Sequence, residues 1–117
     1  MSEAVTAAVD RNVAEVAAVL RSLGNERRLM VLCKLIEERE MTVGSLAAGV
    51  GLTQSALSQH LAKMRDDGLV TFRREAQTIW YRIDDPRIER LIETLHTLYC
   101  RRSRREPAAR KGRASAC

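Results

Sequence analysis

The centre of the chain reads Thr42-Val-Gly-Ser-Leu-Ala-Ala-Gly-Val-Gly-Leu-Thr-Gln-Ser-Ala-Leu-Ser-Gln-His-Leu-Ala-Lys-Met-Arg-Asp-Asp-Gly-Leu-Val70. This stretch predicts two short helices joined by a tight turn. Thr42 is placed to cap the first helix and Gly51 to end it, while Thr53 is placed to cap the second. Apolar residues recur at the spacing of one helical face, so both helices are expected to pack on a core. Those residues are Val43, Leu46, Ala47 and Val50, followed by Ala56, Leu57, Leu61 and Met64.

The outward face of the second helix carries short polar side chains where a solvated helix usually carries Glu and Lys. Ser and Gln donate and accept hydrogen bonds at short range, which suits base edges and phosphates. An ordinary surface helix is the alternative interpretation. The residues that we assign to DNA on this helix are Thr53, Gln54, Ser55, Ser58, Gln59, His60 and Lys63.

Two β-rich runs follow the end of this helix at Gly68. They are Leu69–Arg73 and Ile79–Ile83, and they flank a polar segment, 74–78, which predicts a hairpin. A hairpin directly after a helix-turn-helix is typical of a winged helix, although it can also be a purely structural ribbon. We predict that Arg73, Arg74, Gln77 and Thr78 reach phosphate or the minor groove. The fold class is therefore mainly α with a small β-hairpin, a winged helix-turn-helix.

Long amphipathic helices are predicted at both ends of this unit. The first spans about Ala4 to Leu23, and the last opens at Asp85 and Pro86 as cap and first-turn proline. With only 3% aromatic residues the core is small, and these apolar faces exceed what it can absorb. The sequence therefore predicts a homodimer through the N- and C-terminal helices. Such a dimer places the second helix of each helix-turn-helix, the reader helix, on a near-palindromic double-stranded operator. The apolar faces consist of Val9, Val13, Val16, Leu20 and Leu23, then Ile88, Leu91, Ile92, Leu95, Leu98 and Tyr99.

The positive charge is concentrated at the C-terminus. The net charge is +5, but seven of the 20 basic residues and one of the 15 acidic residues follow Cys100. The remainder is nearly neutral, so DNA affinity must come from the local placement of Lys63, Arg65, Arg73 and Arg74. We expect residues 1–100 to form one DNA-binding and dimerisation domain, and residues 101–117 to form a basic, disordered tail. The tail either adds a sequence-independent DNA contact or only aids solubility.

The compartment is predicted from features that the sequence lacks. The N-terminus is acidic and offers no basic, apolar signal peptide, and no run approaches the roughly 20 apolar residues of a membrane span. We therefore expect a cytoplasmic protein without a membrane partner. Its three cysteines are then expected to be reduced.

The cysteines differ in their surroundings. Cys33 lies on the helical face formed with Leu29, Leu32 and Ile36, where a small buried hydrophobic residue is the simplest interpretation. Cys100 is expected at an exposed helix end. The residues after it, Arg101 and Arg102, favour its thiolate and hence its reactivity. We expect Cys117, at the end of the tail, to be incidental.

Four motifs resemble the ArsR (arsenic-repressor) family of bacterial winged-helix regulators. They are Gly24-Asn-Glu-Arg-Arg-Leu-Met-Val-Leu32, Val43-Gly-Ser-Leu-Ala47, Gln54-Ser-Ala-Leu-Ser-Gln-His-Leu61, and Leu69-Val with Arg73-Arg74 and Trp80-Tyr81-Arg82-Ile83. The resemblance implies a homodimeric repressor that binds an operator near its own operon and leaves it when an inducer binds.

The sensor types of this family match the chain unequally. The arsenic and cadmium type uses a Cys-x-Cys pattern before the reader helix, and this region of the chain contains only Cys33. The zinc and nickel type uses carboxylate and histidine ligands on the last helix; Asp84, Asp85 and His96 are present, but the second histidine is missing. Both metal sites are incomplete, and we expect no metal and no cofactor. His96 is expected to be a solvated helix residue. By resemblance, Cys33 and Cys100 match the dithiol branch, in which persulfide or polysulfide sulfur links the two thiols and releases the operator.

Alternatives remain at this stage. Cysteine thiolates also bind arsenite and soft metals, and peroxide or disulfide stress oxidises them, so a metal-sensing repressor or a general thiol-oxidation sensor is possible. Cys100 with His96 one turn earlier resembles a nucleophile and base. No oxyanion cradle or glycine-rich loop accompanies that pair, so we do not expect an enzyme.

Overall fold

The computed structural model describes residues 3–100, with side chains from residue 12 onward. Two helices come first, and a short strand leads into two further helices. A two-stranded hairpin precedes the last helix, which continues into one π-helical turn. The bounds are α1 Glu3–Leu23, α2 Glu26–Glu38, β1 Met41–Thr42, α3 Val43–Val50, α4 Gln54–Asp66, β2 Val70–Glu75, β3 Thr78–Ile83, α5 Pro86–Leu95 and the π-helical turn His96–Cys100. The mainly helical winged-helix prediction is confirmed.

Local hydrogen bonds set the ends of α3 and α4 as the sequence predicts. The Ser45 amide donates to Thr42 Oγ1 at 3.2 Å, and the Ala56 amide donates to Thr53 Oγ1 at 3.1 Å. Gly51 ends α3 with φ 71°, a left-handed conformation that costs glycine little. The inward residues of both helices are buried, except that Val43 and Ala56 are half-buried.

The wing is tighter than predicted. Strands β2 and β3 pair antiparallel up to Glu75 opposite Thr78, so only residues 76–77 form the turn. The predicted polar tip 74–78 was too long, because Arg74, Glu75 and Thr78 belong to the strands. Ala76 closes this turn at φ 56°.

The sheet has a third strand that the sequence did not predict. β1 pairs with β3, giving the order β1-β3-β2. A strand of two residues has no periodicity, so its pairing with residues 80–81 left no local signal.

Helix α2 lies at the centre of the core. Its residues Val31, Leu32, Leu35 and Ile36 are buried among residues of α3, α4, α5 and the sheet. The burial predicted for one face of this helix is only partly observed. Leu32 and Ile36 are buried, whereas Leu29 and Cys33 are half-buried.

The terminal helices contribute to this core and also keep exposed apolar surface. Leu23, Ile88 and Ile92, predicted for the dimer face, are buried within the single chain. The predicted residues that remain more than half exposed are Val13, Val16, Leu20, Leu98 and Tyr99. The side chain of Val9 and the tail 101–117 lie outside the described residues.

Helix α5 begins as predicted and ends earlier. Asp85 accepts a hydrogen bond from the Arg87 amide at 2.8 Å, and Pro86 occupies the first turn. The predicted continuous helix through Cys100 stops at Leu95, and the wider π-helical turn carries His96 and Cys100. This turn alters the direction of both side chains relative to a regular helix.

Candidate DNA-reading surface and cysteine cavity

The predicted reading face of α4 is open to solvent. Thr53 caps the helix, and the residues after it place their polar side chains outward because Leu57, Leu61 and Met64 anchor the opposite face. His60 is half-buried and the other predicted residues are exposed. The exposed set is Thr53, Gln54, Ser55, Ser58, Gln59 and Lys63.

Arg73 on the wing is engaged within the chain. Its Nε and Nη2 donate to the Glu40 carboxylate at 2.8 and 2.9 Å, and Nη1 donates to Glu75 at 3.3 Å. The guanidinium also lies 5.8 Å from the ring centre of Trp80. These hydrogen bonds from Arg73 hold the pKa of the Glu40 carboxyl below its usual value. Arg73 therefore fastens the wing to the segment before β1, a link between distant residues that the sequence did not indicate.

The remaining wing residues assigned to DNA are exposed. Arg74 and Thr78 lie at the ends of β2 and β3, and Gln77 lies in the turn between them. On α4, the guanidinium of Arg65 lies 4.9 Å from the ring centre of Phe72, so this cation stacks on the hairpin.

Cys33 and Cys100 line the same cavity. It has a volume of about 350 Å³ and lies between α2 and the α5 segment that ends in the π-helical turn. Two cysteines that lie 67 residues apart in the sequence thus line one cavity. The other lining residues are Glu26, Leu29, Met30, Ile92, Leu95, His96 and Tyr99.

The two sulfur atoms differ in state and environment. Cys33 is a free thiol and Cys100 is disulfide-bonded, so the two are not joined to each other, and the expectation that all three cysteines are reduced is wrong. Cys100 is only 6% exposed. Its predicted exposure is wrong, because the π-helical turn directs it inward. Arg101 and Arg102, expected to activate it, lie outside the described residues.

Burial makes the Cys33 thiol a weaker acid than an ordinary cysteine. Desolvation raises the pKa of its thiol, and the Glu37 carboxylate raises it further, against a smaller opposing effect of Lys34. Glu37 was missed at the sequence level. Its position one turn after Cys33 on the same helical face was the available signal.

His96 is paired with α2 and is not the solvated residue that the sequence suggested. Its Nε2 lies 3.1 Å from Glu37 Oε2, and its side chain is 12% exposed. Lys34 Nζ lies 3.6 Å from the other oxygen of Glu37. The pair joins the π-helical turn to α2 directly beside the cysteine cavity.

The predicted fragments of a metal site do not come together. Asp85 caps α5, Asp84 is exposed, and His96 is bound to Glu37. Within the described part of the chain, no three His, Cys, Asp or Glu side chains are grouped as a metal ion would require.

Helix α2 is also tied to the reading unit. Arg28, a buried residue, donates through Nη1 to the Ser22 carbonyl at 2.8 Å and to Asp67 Oδ2 at 3.1 Å, next to the end of α4. Arg27 donates to the Val50 carbonyl, at the end of α3, at 3.3 Å. The helix that carries Cys33 therefore contacts both helices of the helix-turn-helix through adjacent arginines.

Comparison with known proteins agrees with this architecture. Residues 25–71 match the family model described as bacterial regulatory protein, arsR family. The chain is 47% identical over 92 residues to the transcriptional activator HlyU of Vibrio cholerae, covering 79% of this chain and 84% of that protein. The chain belongs to the ArsR family of bacterial transcriptional regulators. Another ArsR-type relative, the biofilm growth-associated repressor of Agrobacterium fabrum, is 40% identical over 93 residues, covering 80% and 79% of the two chains.

The structural similarity covers a comparable share of the chain. The crystal structure of the transcriptional regulator HlyU from Vibrio vulnificus superposes with a TM-score of 0.77 at 46% identity, covering 81% of this chain and 98% of that one. In the described part of this ArsR-family chain, no helix is long and apolar enough to cross a membrane.

Proposed function

We propose that this ArsR-family protein is a homodimeric repressor that leaves its operator when reactive sulfur species link Cys33 to Cys100. The observation that carries the proposal is the shared cavity, because both thiols predicted to sense sulfur line it. The relatives differ in the direction of regulation, since the Agrobacterium fabrum protein is named a repressor and HlyU of Vibrio cholerae an activator, and we infer repression from the family resemblance.

DNA reading is assigned to the exposed face of α4 and the wing. Gln54, Ser55, Ser58 and Gln59 supply donors and acceptors for base edges, while Lys63 and Arg74 are cations for phosphates. One well-placed side-chain pair with a base is worth about 1 to 3 kcal/mol of discrimination. Replacement Gln59→Ala should therefore weaken operator binding by about tenfold or more without lowering the melting temperature. Glu38→Gln, an exposed change on α2, is the control.

Dimerisation is assigned to the apolar surface that a single chain leaves exposed. Val13, Val16 and Leu20 are at the spacing of one face of α1, and Leu98 and Tyr99 follow α5. Exposed apolar faces of this kind are typical of subunit interfaces. A two-fold dimer places two α4 helices about one turn of DNA apart, which suits a near-palindromic site.

The proposed reaction begins from the two thiols, after the Cys100 disulfide has been reduced. Each thiolate attacks the terminal sulfur of a hydropersulfide, R–S–SH, forming a cysteine persulfide and releasing R–SH. The persulfide anion of one cysteine then attacks the inner sulfur of the other and expels HS⁻. Overall, two thiols and two hydropersulfides give a trisulfide, two R–SH and one H₂S, so atoms and electrons balance.

The sulfur chain acts on DNA binding through α2. It fastens α2 to the π-helical turn, and α2 is bonded to the ends of α3 and α4 by Arg27 and Arg28. If the cross-linked state binds the operator less tightly by about 5.5 kcal/mol, the ratio of DNA-bound to free protein changes from about 99:1 to 1:99. A small change in the spacing of the two α4 helices reduces base and phosphate contacts together, which is sufficient for release.

The test measures binding to the DNA upstream of the protein's own gene by fluorescence anisotropy. Reduced protein is compared with protein treated with glutathione persulfide, hydrogen peroxide, zinc or arsenite. Persulfide should release the DNA of the wild type but not that of Cys33→Ser or Cys100→Ser, and Cys117→Ser is the matched control that still responds. Release in both sensor variants would contradict the proposal.

A soft-metal or arsenite sensor is the second candidate. The observation that favours it is the thioether of Met30, which lines the cavity beside the two cysteines, because sulfur ligands select soft metals. Release by arsenite or zinc, with stoichiometric binding and unmodified thiols, would favour this candidate. Release by peroxide alone would instead indicate a general thiol-oxidation sensor.

A further inference from the structure

Most of the side chains that line the cavity at Cys33 are apolar. Leu29, Met30, Ile92 and Leu95 form its wall. A cavity of about 150 Å³ lined by aliphatic and aromatic side chains is large enough to bind benzene. The cavity at Cys33, with a volume of about 350 Å³, has room for an organic group at least as large as benzene.

The charged groups around the cavity disfavour an anion. Glu26, an exposed carboxylate, belongs to the lining, and none of the described lining residues is Lys or Arg. The imidazole of His96 is bound to Glu37, which also pairs with Lys34. Among the described lining residues, a carboxylate that entered this space would meet apolar side chains and the Glu26 carboxylate rather than a cation, which is unfavourable.

We infer that the sulfur donor for Cys33 is a small organic hydropersulfide with an uncharged, apolar group that the cavity binds before the reaction. This inference rests on the proposed function and names the class of its inducer. Glutathione persulfide, which carries two carboxylates, is expected to react with Cys33 without first binding in the cavity. The step itself is the attack of the Cys33 thiolate on the terminal sulfur of R–S–SH, which forms the cysteine persulfide and releases R–SH.

The test compares cumyl hydropersulfide with glutathione persulfide on the reduced full-length protein. The rate of persulfide formation at Cys33 is measured by peptide mass spectrometry and divided by the rate on the same chain unfolded in urea, which cancels intrinsic reactivity. Burial of one aromatic ring is worth about tenfold in affinity. The normalised rate should therefore be at least about tenfold higher for the cumyl donor. Equal normalised rates, or a preference for glutathione persulfide, would overturn the inference.

Matched methionine variants locate the effect. Met30→Gln places a polar amide in the cavity wall and should reduce the preference for the cumyl donor severalfold. Met41→Gln makes the same change at a half-buried position of β1, outside the cavity, and should leave the preference unchanged. Equal effects of both variants would overturn the assignment to this cavity.

A binding measurement without sulfur chemistry separates this inference from the proposed function. Cumene, the hydrocarbon that corresponds to the cumyl group, should slow alkylation of Cys33 by iodoacetamide in the reduced wild type, and glutathione should not. No protection by cumene would overturn the inference even if persulfides release DNA. Protection by cumene with no DNA release by either donor would retain the binding site and overturn the proposed function.

Discussion

The ion pair between Arg28 and Asp67 is expected to hold the reading helix against α2. Arg28 Nη1 lies 3.1 Å from Asp67 Oδ2 and 2.8 Å from the Ser22 carbonyl, and Ser22 Oγ donates to Asp67 at 3.2 Å. The Arg28 side chain is 10% exposed and that of Asp67 is 36% exposed. The contact therefore lies between a surface pair and a buried pair in strength.

The magnitudes follow from this intermediate burial. Arg28→Met leaves the Ser22 carbonyl and Asp67 without their buried donor, which should lower the free energy of unfolding by about 3 kcal/mol. Asp67→Ala should cost about 1.5 kcal/mol, because Arg28 retains Ser22 and water reaches the vacated side. The coupling between the two positions should be about 1 kcal/mol, since the double variant lacks both charges.

Urea unfolding of both variants and of the double variant, at one protomer concentration, measures these values. Asp66→Ala is the matched control, because Asp66 is exposed and adjacent, and it should change stability by less than about 0.5 kcal/mol. A coupling near zero would show that the pair contributes nothing to fastening α4 to α2.

Further predictions concern the thiol, the wing and the subunit interface. Because burial and Glu37 raise the pKa of Cys33, its alkylation by iodoacetamide should be slow at neutral pH and accelerate as the pH rises towards that pKa; Glu37→Gln should lower the pKa and raise the neutral rate. An unchanged rate in Glu37→Gln would refute this cause. Glu40→Gln should free Arg73 for phosphate and steepen the log–log salt dependence of DNA binding by about 0.9; an unchanged slope would exclude an additional phosphate contact. Val16→Asp should convert a dimer to monomers in analytical ultracentrifugation, and a stable dimer would place the interface elsewhere.

Features that depend on neighbouring residues were readable from the sequence. The caps at Thr42, Thr53 and Asp85 each bond to an amide two or three residues away, so residue type and spacing were sufficient. The exposed face of α4 followed from the helical period of its apolar residues in the same way. These features fix the winged-helix fold.

Features that depend on distant partners were not readable. Arg73 was assigned to DNA because its position on the wing was visible but its partner Glu40, far away in the sequence, was not. His96 and Cys100 were expected to be solvent-exposed, because a regular helix was assumed where the π-helical turn directs both inward. The apolar faces of α1 and α5 could not be divided between the core and the dimer interface without the packing of Leu23, Ile88 and Ile92.

The most direct test of the sulfur link is peptide mass spectrometry of the protein that persulfide has released from its operator, after alkylation of the remaining thiols. We expect one cross-linked species, in which a sulfur chain joins the Cys33 peptide to the Cys100 peptide, in proportion to the DNA released. Complete release with Cys33 still alkylated as a free thiol would contradict it.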